Sequence, residues 1–168
     1  MWKRLGLSLL SLGVLFAVLT VLLPWHHVLT ITSPKKGKVV LCAEMGEGEE
    51  FVLSFVHSVN KRPVYDTLKV EGNHLVIVKS RFDSFGAGMP ETSTEEGTLQ
   101  FDPDGWLVWT VNRPVAEVTI FVGRVANHRL QLRGWDLALA DLAEPGTPLT
   151  LKTDKTSFYQ IWKGRCLR

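Results

Sequence analysis

The chain has 168 residues, 45% of them hydrophobic, and carries 19 lysines and arginines against 17 aspartates and glutamates. Lys3 and Arg4 account for that whole excess: without them the balance is 17 to 17, and a formally neutral body excludes a nucleic-acid binder that works through a basic field. With its apolar N-terminal run set aside, the chain leaves about 140 residues, enough for one core-forming domain.

Residues 1–4 form a short N-terminus, expected on the cytoplasmic side. From Leu5 to Leu23 there is no charged residue. Nineteen residues at about 1.5 Å each make a helix of roughly 28 Å, which matches a hydrocarbon core of ~30 Å. Trp2 and Trp25 flank the run, where indoles favour the headgroup level, and the Lys3-Arg4 pair orients it with the rest of the chain outside. A cleavable signal has an apolar core of only about 7–15 residues, and Val21-Leu22-Leu23-Pro24-Trp25-His26-His27 lacks a small-x-small cleavage pattern. Residues 5–25 are therefore expected to be an uncleaved single-pass anchor in the inner membrane. Residues 26–37 are expected to be a linker with Lys35 and Lys36 near its end, and 38–168 an extracytoplasmic domain that opens on Lys38. Leu41 before Cys42 is too large for a lipidation site.

Beyond Lys38 the pattern is short β-rich runs between turn residues. Strands are expected at 39–43, 51–58, 64–70 and 75–82, the last three as a meander joined through Asn60-Lys61-Arg62-Pro63 and Gly72-Asn73. Residues 83–97 read as one long loop, a length that is often functional. Asp102-Pro103-Asp104-Gly105 signals a turn before a strand at 106–111. Asn112-Arg113-Pro114 is expected to turn the chain into 115–122, and further strands follow at 130–133, 149–153 and 157–162. The stretch 135–142 reads as a short helix or a turn. Nine or ten short strands at this spacing predict an all-β antiparallel sandwich or a partly closed barrel. Val59-Asn60-Lys61-Arg62-Pro63-Val64 echoes Val111-Asn112-Arg113-Pro114-Val115, each with proline where a strand is expected to begin.

Cys42 and Cys166 stand near the two ends of the domain. In an oxidising compartment they would pair; the alternative is two buried free thiols. Trp106, Trp109, Trp135 and Trp162 read as core residues, although the first two differ in strand parity, so that one of them reaches a surface.

Two segments depart from plain sandwich chemistry. His57, Ser58, Lys61, Arg62, Pro63 and Asp66 gather an imidazole, a hydroxyl, two cations and a carboxylate around one turn. Ser84-Phe85-Gly86-Ala87-Gly88-Met89-Pro90 places two glycines where positive φ would aim successive N–H groups into an anion-binding nest. If the meander joins them, Ser84, Lys61 and Arg62 would converge on a carboxylate or phosphate. The bland reading is a tight loop, a solvated hairpin tip and a core histidine. Catalysis has no support: His57 and Ser58 point to opposite faces of a strand, and no Gly-x-Ser-x-Gly elbow is present. The histidines lack metal-ligand spacing, and no cofactor is implied.

Taken together, His57-Ser58-Val59-x-Lys61-x-Pro63-Val64 and Ser84 to Pro90 resemble a bacterial family, the domain-of-unknown-function family eighteen-fifty, over residues 39–162. The family pattern has Glu at the positions of Asn60 and Asp66. Asp66 keeps the charge on a shorter stem, whereas Asn60 is uncharged. The resemblance implies an envelope protein that works beside a TAXI-type TRAP transporter, a binding-protein-dependent carboxylate importer, and it implies no activity. Three functions follow as expectations: an accessory module docking on the TRAP permease or its substrate-binding protein, a small carboxylate-binding domain using the two segments, and an envelope assembly or chaperone-like sandwich.

Overall fold

The computed structural model describes residues 2–33 and 37–167, with side chains described from residue 12 onward except at 164 and 165. An α-helix, α1, spans Trp2–Leu22. Among the described residues no helix is long and apolar enough to cross a membrane. The calls on the Trp2, Lys3 and Arg4 side chains, and on Lys35 and Lys36 of the linker, fall outside the described residues.

The described residues form eleven strands in two antiparallel sheets, and the sheets do not close into a barrel. The smaller sheet holds β1 (His26–Ser33), β2 (Lys38–Glu44), β8 (Glu117–Phe121) and β11 (Pro148–Thr156), in the order β2-β1-β11-β8. The larger sheet holds β3 (Glu50–Val56), β4 (Pro63–Glu71), β5 (His74–Phe82), β6 (Thr98–Phe101), β7 (Leu107–Val115), β9 (Arg129–Leu132) and β10 (Trp135–Ala138). Its order is β10-β9-β3-β4-β5-β7-β6, so the expected β3-β4-β5 meander forms its centre.

Alternation along the strands builds the main core between the sheets. Leu29, Ile31, Leu149 and Leu151 of the small sheet meet Phe51, Leu68, Val70, Leu75 and Leu130 of the large one. A second, smaller cluster of Val64, Phe82 and Leu107 lies at the other end of the large sheet, where Met89 of the 83–97 loop packs against it. One end of the large sheet is thus covered by a sheet, the other by a loop.

Several sequence expectations need correction. The segment expected as linker contains β1, an inner strand of the small sheet paired with β2 and β11. Its Thr30 and Thr32 donate to the carbonyls of Lys152 and Thr150, at 3.2 and 3.4 Å, so polar residues that resemble a linker are in fact β-branched partners of a neighbouring strand. The expected strand at 157–162 is helical. Ser157 caps it by accepting from the Gln160 N–H at 3.3 Å, and the turn continues through Ile161–Arg165, so a local cap overrides the aromatic β-preference. The stretch 135–142 is strand β10 followed by a single 3-10 turn at Leu139–Asp141. Asn112-Arg113-Pro114 does not turn the chain: β7 runs on to Val115 and the chain changes sheets at Ala116. Pro114 is tolerated inside that strand because β6 pairs only as far as Thr110, which leaves an open edge beyond it. Trp135 and Trp162 are exposed and belong to no core.

Cys42 and Cys166 are joined by a disulfide that closes a sequence separation of 124 residues. Beside it, the Leu167 N–H donates to the Cys42 carbonyl at 2.7 Å, and the Glu44 N–H donates to the Leu167 carbonyl at 2.9 Å.

Candidate functional site

Register decides where the chemistry lies. On the inner face of the large sheet Leu53, Asp66, Ser80 and Trp109 stand side by side on β3, β4, β5 and β7. Asp66 falls between Val64 and Leu68 on its strand, and Ser80 between Phe82 and Ile77 on its own. One polar pair therefore interrupts the apolar face at the boundary between the two clusters. The Ser80 hydroxyl donates to Asp66 Oδ1 at 2.5 Å. Burial raises the Asp66 carboxyl above its ordinary 3.8, and the bond from Ser80 opposes that rise only in part.

Asp66 and Phe55 are shared walls of two cavities. The larger, about 610 Å³, lies over β4, β5 and β7 and is roofed by Gly88, Met89 and Pro90 of the long loop. Trp109 lines it, and Glu96 and Arg113 bring further charge to it. The smaller, about 280 Å³, lies between β8 and the β3-β4 pair, with His128 on its wall, its ring 5.8 Å from that of Phe55. Burial lowers the His128 pKa, and its Nδ1 accepts from the Gly123 N–H at 3.3 Å, so the ring is neutral at pH 7 with its proton on Nε2. Two irregularities shape the larger cavity. Between Ile77↔Arg113 and Lys79↔Thr110 strand β7 has one residue more than β5, and Asn112 there takes φ 47°. Such a bulge bends a strand and re-aims its side chains, and here it carries Asn112 and Arg113 to the cavity wall. Among the described residues no ion pair or hydrogen bond engages the Arg113 guanidinium.

The two segments picked out from the sequence do meet, through a residue that the nest argument had not used. Asn60 Nδ2 donates to Ser84 Oγ at 3.0 Å and lies 3.4 Å from the carbonyls of Ser84 and Phe85. Its Oδ1 accepts from the Arg62 N–H at 3.1 Å. The expected anion nest is not built. Gly88 has positive φ, 82°, but Gly86 does not. Gly86 is required instead by close approach, since a Cβ there would stand 3.0 Å from Asn60 Nδ2 and 3.4 Å from His57 Cε1. Arg62 is held by Asp83 through both carboxylate oxygens, so its charge is already met. Lys61, at φ 57°, is exposed, as are Ser58, Phe85 and Ala87. His57 is half-buried, its Nδ1 accepting from the Val59 N–H at 3.3 Å. Pro63 opens β4. Of the residues singled out, Asp66, Gly88 and Pro90 line the cavity. The backbone or side chains of Arg62, Ser84, Phe85 and Gly86 meet the Asn60 side chain that latches its roof, and Ser58, Lys61 and Ala87 stand exposed beside it.

The family model described as Domain of unknown function (DUF1850) matches residues 51–139. The chain belongs to the DUF1850 family. No curated protein and no solved structure matches it. The stretch matched to DUF1850 contains every residue that lines the two cavities, from Leu53 to His128, and the Asn60 latch as well. Helix α1, β1, β2 and β11 lie outside it.

Ser80, Trp109, Arg113 and His128 were not found from the sequence. The available signal was Asp66 itself, a carboxylate on the same parity as Val64 in a strand whose alternate residues are apolar. Among the described residues no three His, Cys, Asp or Glu gather as a metal site.

Proposed function

We propose that this DUF1850 protein is a membrane-held, extracytoplasmic accessory module that captures a small organic ligand in the cleft between its large sheet and the 83–97 loop. The observation that carries the reading is the 610 Å³ cavity, which joins apolar walls to a part-buried carboxyl and to an exposed, unpaired guanidinium. A largely apolar cleft with a few convergent polar groups is the usual form of a small-molecule site. The charge pattern narrows the ligand. Arg113 suits a carboxylate, but Asp66 opposes a bare anion and favours a hydrogen-bond donor or an ammonium group. An organic acid that also carries an amino group satisfies both.

The anchoring part of the proposal rests on the uncharged stretch 5–23 and on the exposure of its described part. Leu12, Val14, Leu15, Phe16, Leu22 and Leu23 are all at least 38% exposed, so the domain does not cover them. A Cys42–Cys166 disulfide fits an oxidising compartment. The proposed partner, a TAXI-type TRAP permease or its substrate-binding protein, follows from the family resemblance alone. The strand-lending assembly reading has less support. The edge strands β6 and β10 are four residues each and β8 five, the open edge of β7 beyond Thr110 carries Pro114, and β2 is tied down by Leu167.

Thermal denaturation of the full-length protein in detergent tests the ligand, using simple organic acids, amino acids and amines as separate panels. Amino acids should raise the midpoint most. Asp66→Asn should remove the preference for the amino group, and Arg113→Gln the preference for the acid. A flat response across all three panels would count against a ligand site. Affinity capture from native membranes tests the partner, and recovery without any transporter subunit would count against the accessory role.

A further inference from the structure

Four aromatic residues crowd the end of the domain from which α1 emerges. Helix α1 ends at Leu22 and β1 begins at His26, leaving three residues between them, a reach of about 10 Å at most. Even these are partly tied: the Leu23 N–H donates to the Leu19 carbonyl at 2.9 Å, and the Trp25 N–H to the Leu23 carbonyl at 3.0 Å. The sandwich therefore begins directly at the end of the apolar helix. Register then brings the C-terminal segment to the same place. His26 pairs with Thr156, the last residue of β11, and Ser157 at once turns the chain into the helical turn that starts at Phe158. The His26 and Phe158 rings lie 6.0 Å apart.

Tyr159 and Phe158 stand three and four residues before Trp162, so the three share one face of that turn. Trp162 is 68% exposed, Trp25 65%, Phe158 42% and Tyr159 39%. The segment that carries them is held firmly. Ile161 is 2% exposed on the opposite side, and Cys166 is bonded to Cys42. Lys163 Nζ sits 4.5 Å over the Tyr159 ring, an ammonium group beside the aromatic face.

We infer that Trp25, Phe158, Tyr159 and Trp162 form a second membrane contact, seated in the phospholipid headgroup layer beside the helix exit. The inference rests on the anchoring reading above. Indole and phenol rings have an apolar body and a polar tip, which suits them to the headgroup level, and a lysine on a long stem reaches the phosphates. The patch is continuous with the apolar helix, so a bilayer that takes up the helix necessarily meets it. Two attachments, one covalently linked through the disulfide to the edge strand β2, fix the tilt of the sandwich on the membrane, so that α1 is not a free tether.

The test uses the full chain reconstituted into phosphatidylcholine vesicles, with Trp162→Phe and Trp25→Phe prepared alongside. The emission lost in each variant, taken as a difference from the parent, isolates one indole. Lipids brominated on the upper acyl carbons should remove most of the Trp162 component, and aqueous iodide should leave it nearly unchanged. If iodide quenches that component and bromolipid does not, while the Trp25 component remains quenched by lipid, the footing is refuted and the anchor stands. If neither component responds to bromolipid, the anchor fails and the footing fails with it. A Trp162 component shielded from both quenchers places it under protein, in a contact between copies, and also overturns the inference.

Discussion

Opening the disulfide is the perturbation whose size follows most directly from the structure. Cys166→Ser releases a loop closed over a sequence separation of 124 residues. The folded state changes little, because the two backbone bonds of Leu167 still hold the tail against β2. The effect therefore falls on the unfolded chain. The loop-closure relation gives an entropy difference of about 16 cal/mol/K for a loop of this length, or about 5 kcal/mol at 25 °C. At about 2.1 cal/mol/K of unfolding entropy per residue, a body of about 140 residues loses roughly 15 °C from its midpoint. Thermal denaturation of the full chain, followed by circular dichroism in one detergent, would compare the parent, Cys42→Ser, Cys166→Ser and the double variant. All three variants should fall by a similar amount, since each opens the same loop. A fall of under about 3 °C in all three would refute the unfolded-state account. A large difference between the two single variants would show that packing around one thiol sets the stability instead.

Asp66→Asn should stabilise the domain at neutral pH. The part-buried carboxyl has a pKa raised by desolvation, so the folded form keeps its proton to a higher pH than the unfolded form. Stability therefore falls as pH rises through the folded value, and the advantage of the variant should vanish below 3.8; parallel midpoint-against-pH curves for the two proteins would contradict this. Gly86→Ala should push the Asn60 carboxamide off Ser84 and cost about 1–2 kcal/mol, the worth of a hydrogen bond whose partners are left part-buried. Amide exchange across 83–97 should accelerate with it, and unchanged protection there would show that Asn60 does not hold the roof of the cavity. Arg133→Met removes a pair in which Glu49 accepts at 2.6 and 2.7 Å, partly exposed, and should cost about 1 kcal/mol. The Arg133 hydrogen bond holds the Glu49 carboxyl below its ordinary 4.5, so this contribution is present above 4.5 and lost as pH falls through the folded value. Acid-unfolding curves of variant and parent should converge at low pH.

Much of the strand pattern could be read along the chain. Alternation and turn chemistry located β2 to β5, β9 and β11 to within a few residues, because a half-buried strand and a tight turn are written in local sequence. The failures were also local in cause. β1 was hidden by its threonines and histidines, which read as a polar linker until β2 and β11 are placed on either side. The aromatic turn after Ser157 looked like a strand, because one capping hydroxyl carries more weight there than the β-preference of its neighbours. For the site, the two motifs do meet, through Asn60 and Ser84, but not in the roles their residue types suggest. Arg62 is consumed by Asp83, and Gly86 serves as a gap for Asn60 and not as a donor of positive φ.

The apolar N-terminal run, the neutral β-rich body and the family to which the chain belongs are all legible in the order of residues. Each of these depends on residues that are near neighbours in the chain or on a pattern along it. Only the tertiary structure decided that Asp66, Ser80, Trp109 and Arg113 share one cleft, and that Trp25 and Trp162 share one end of the domain. Those groupings come from pairing register, and from a bulge that shifts it on β7. A one-residue slip would send Asp66, Ser80, Trp109 and Arg113 to the opposite face of the large sheet, and register is set by contacts between strands, not by neighbours along the chain.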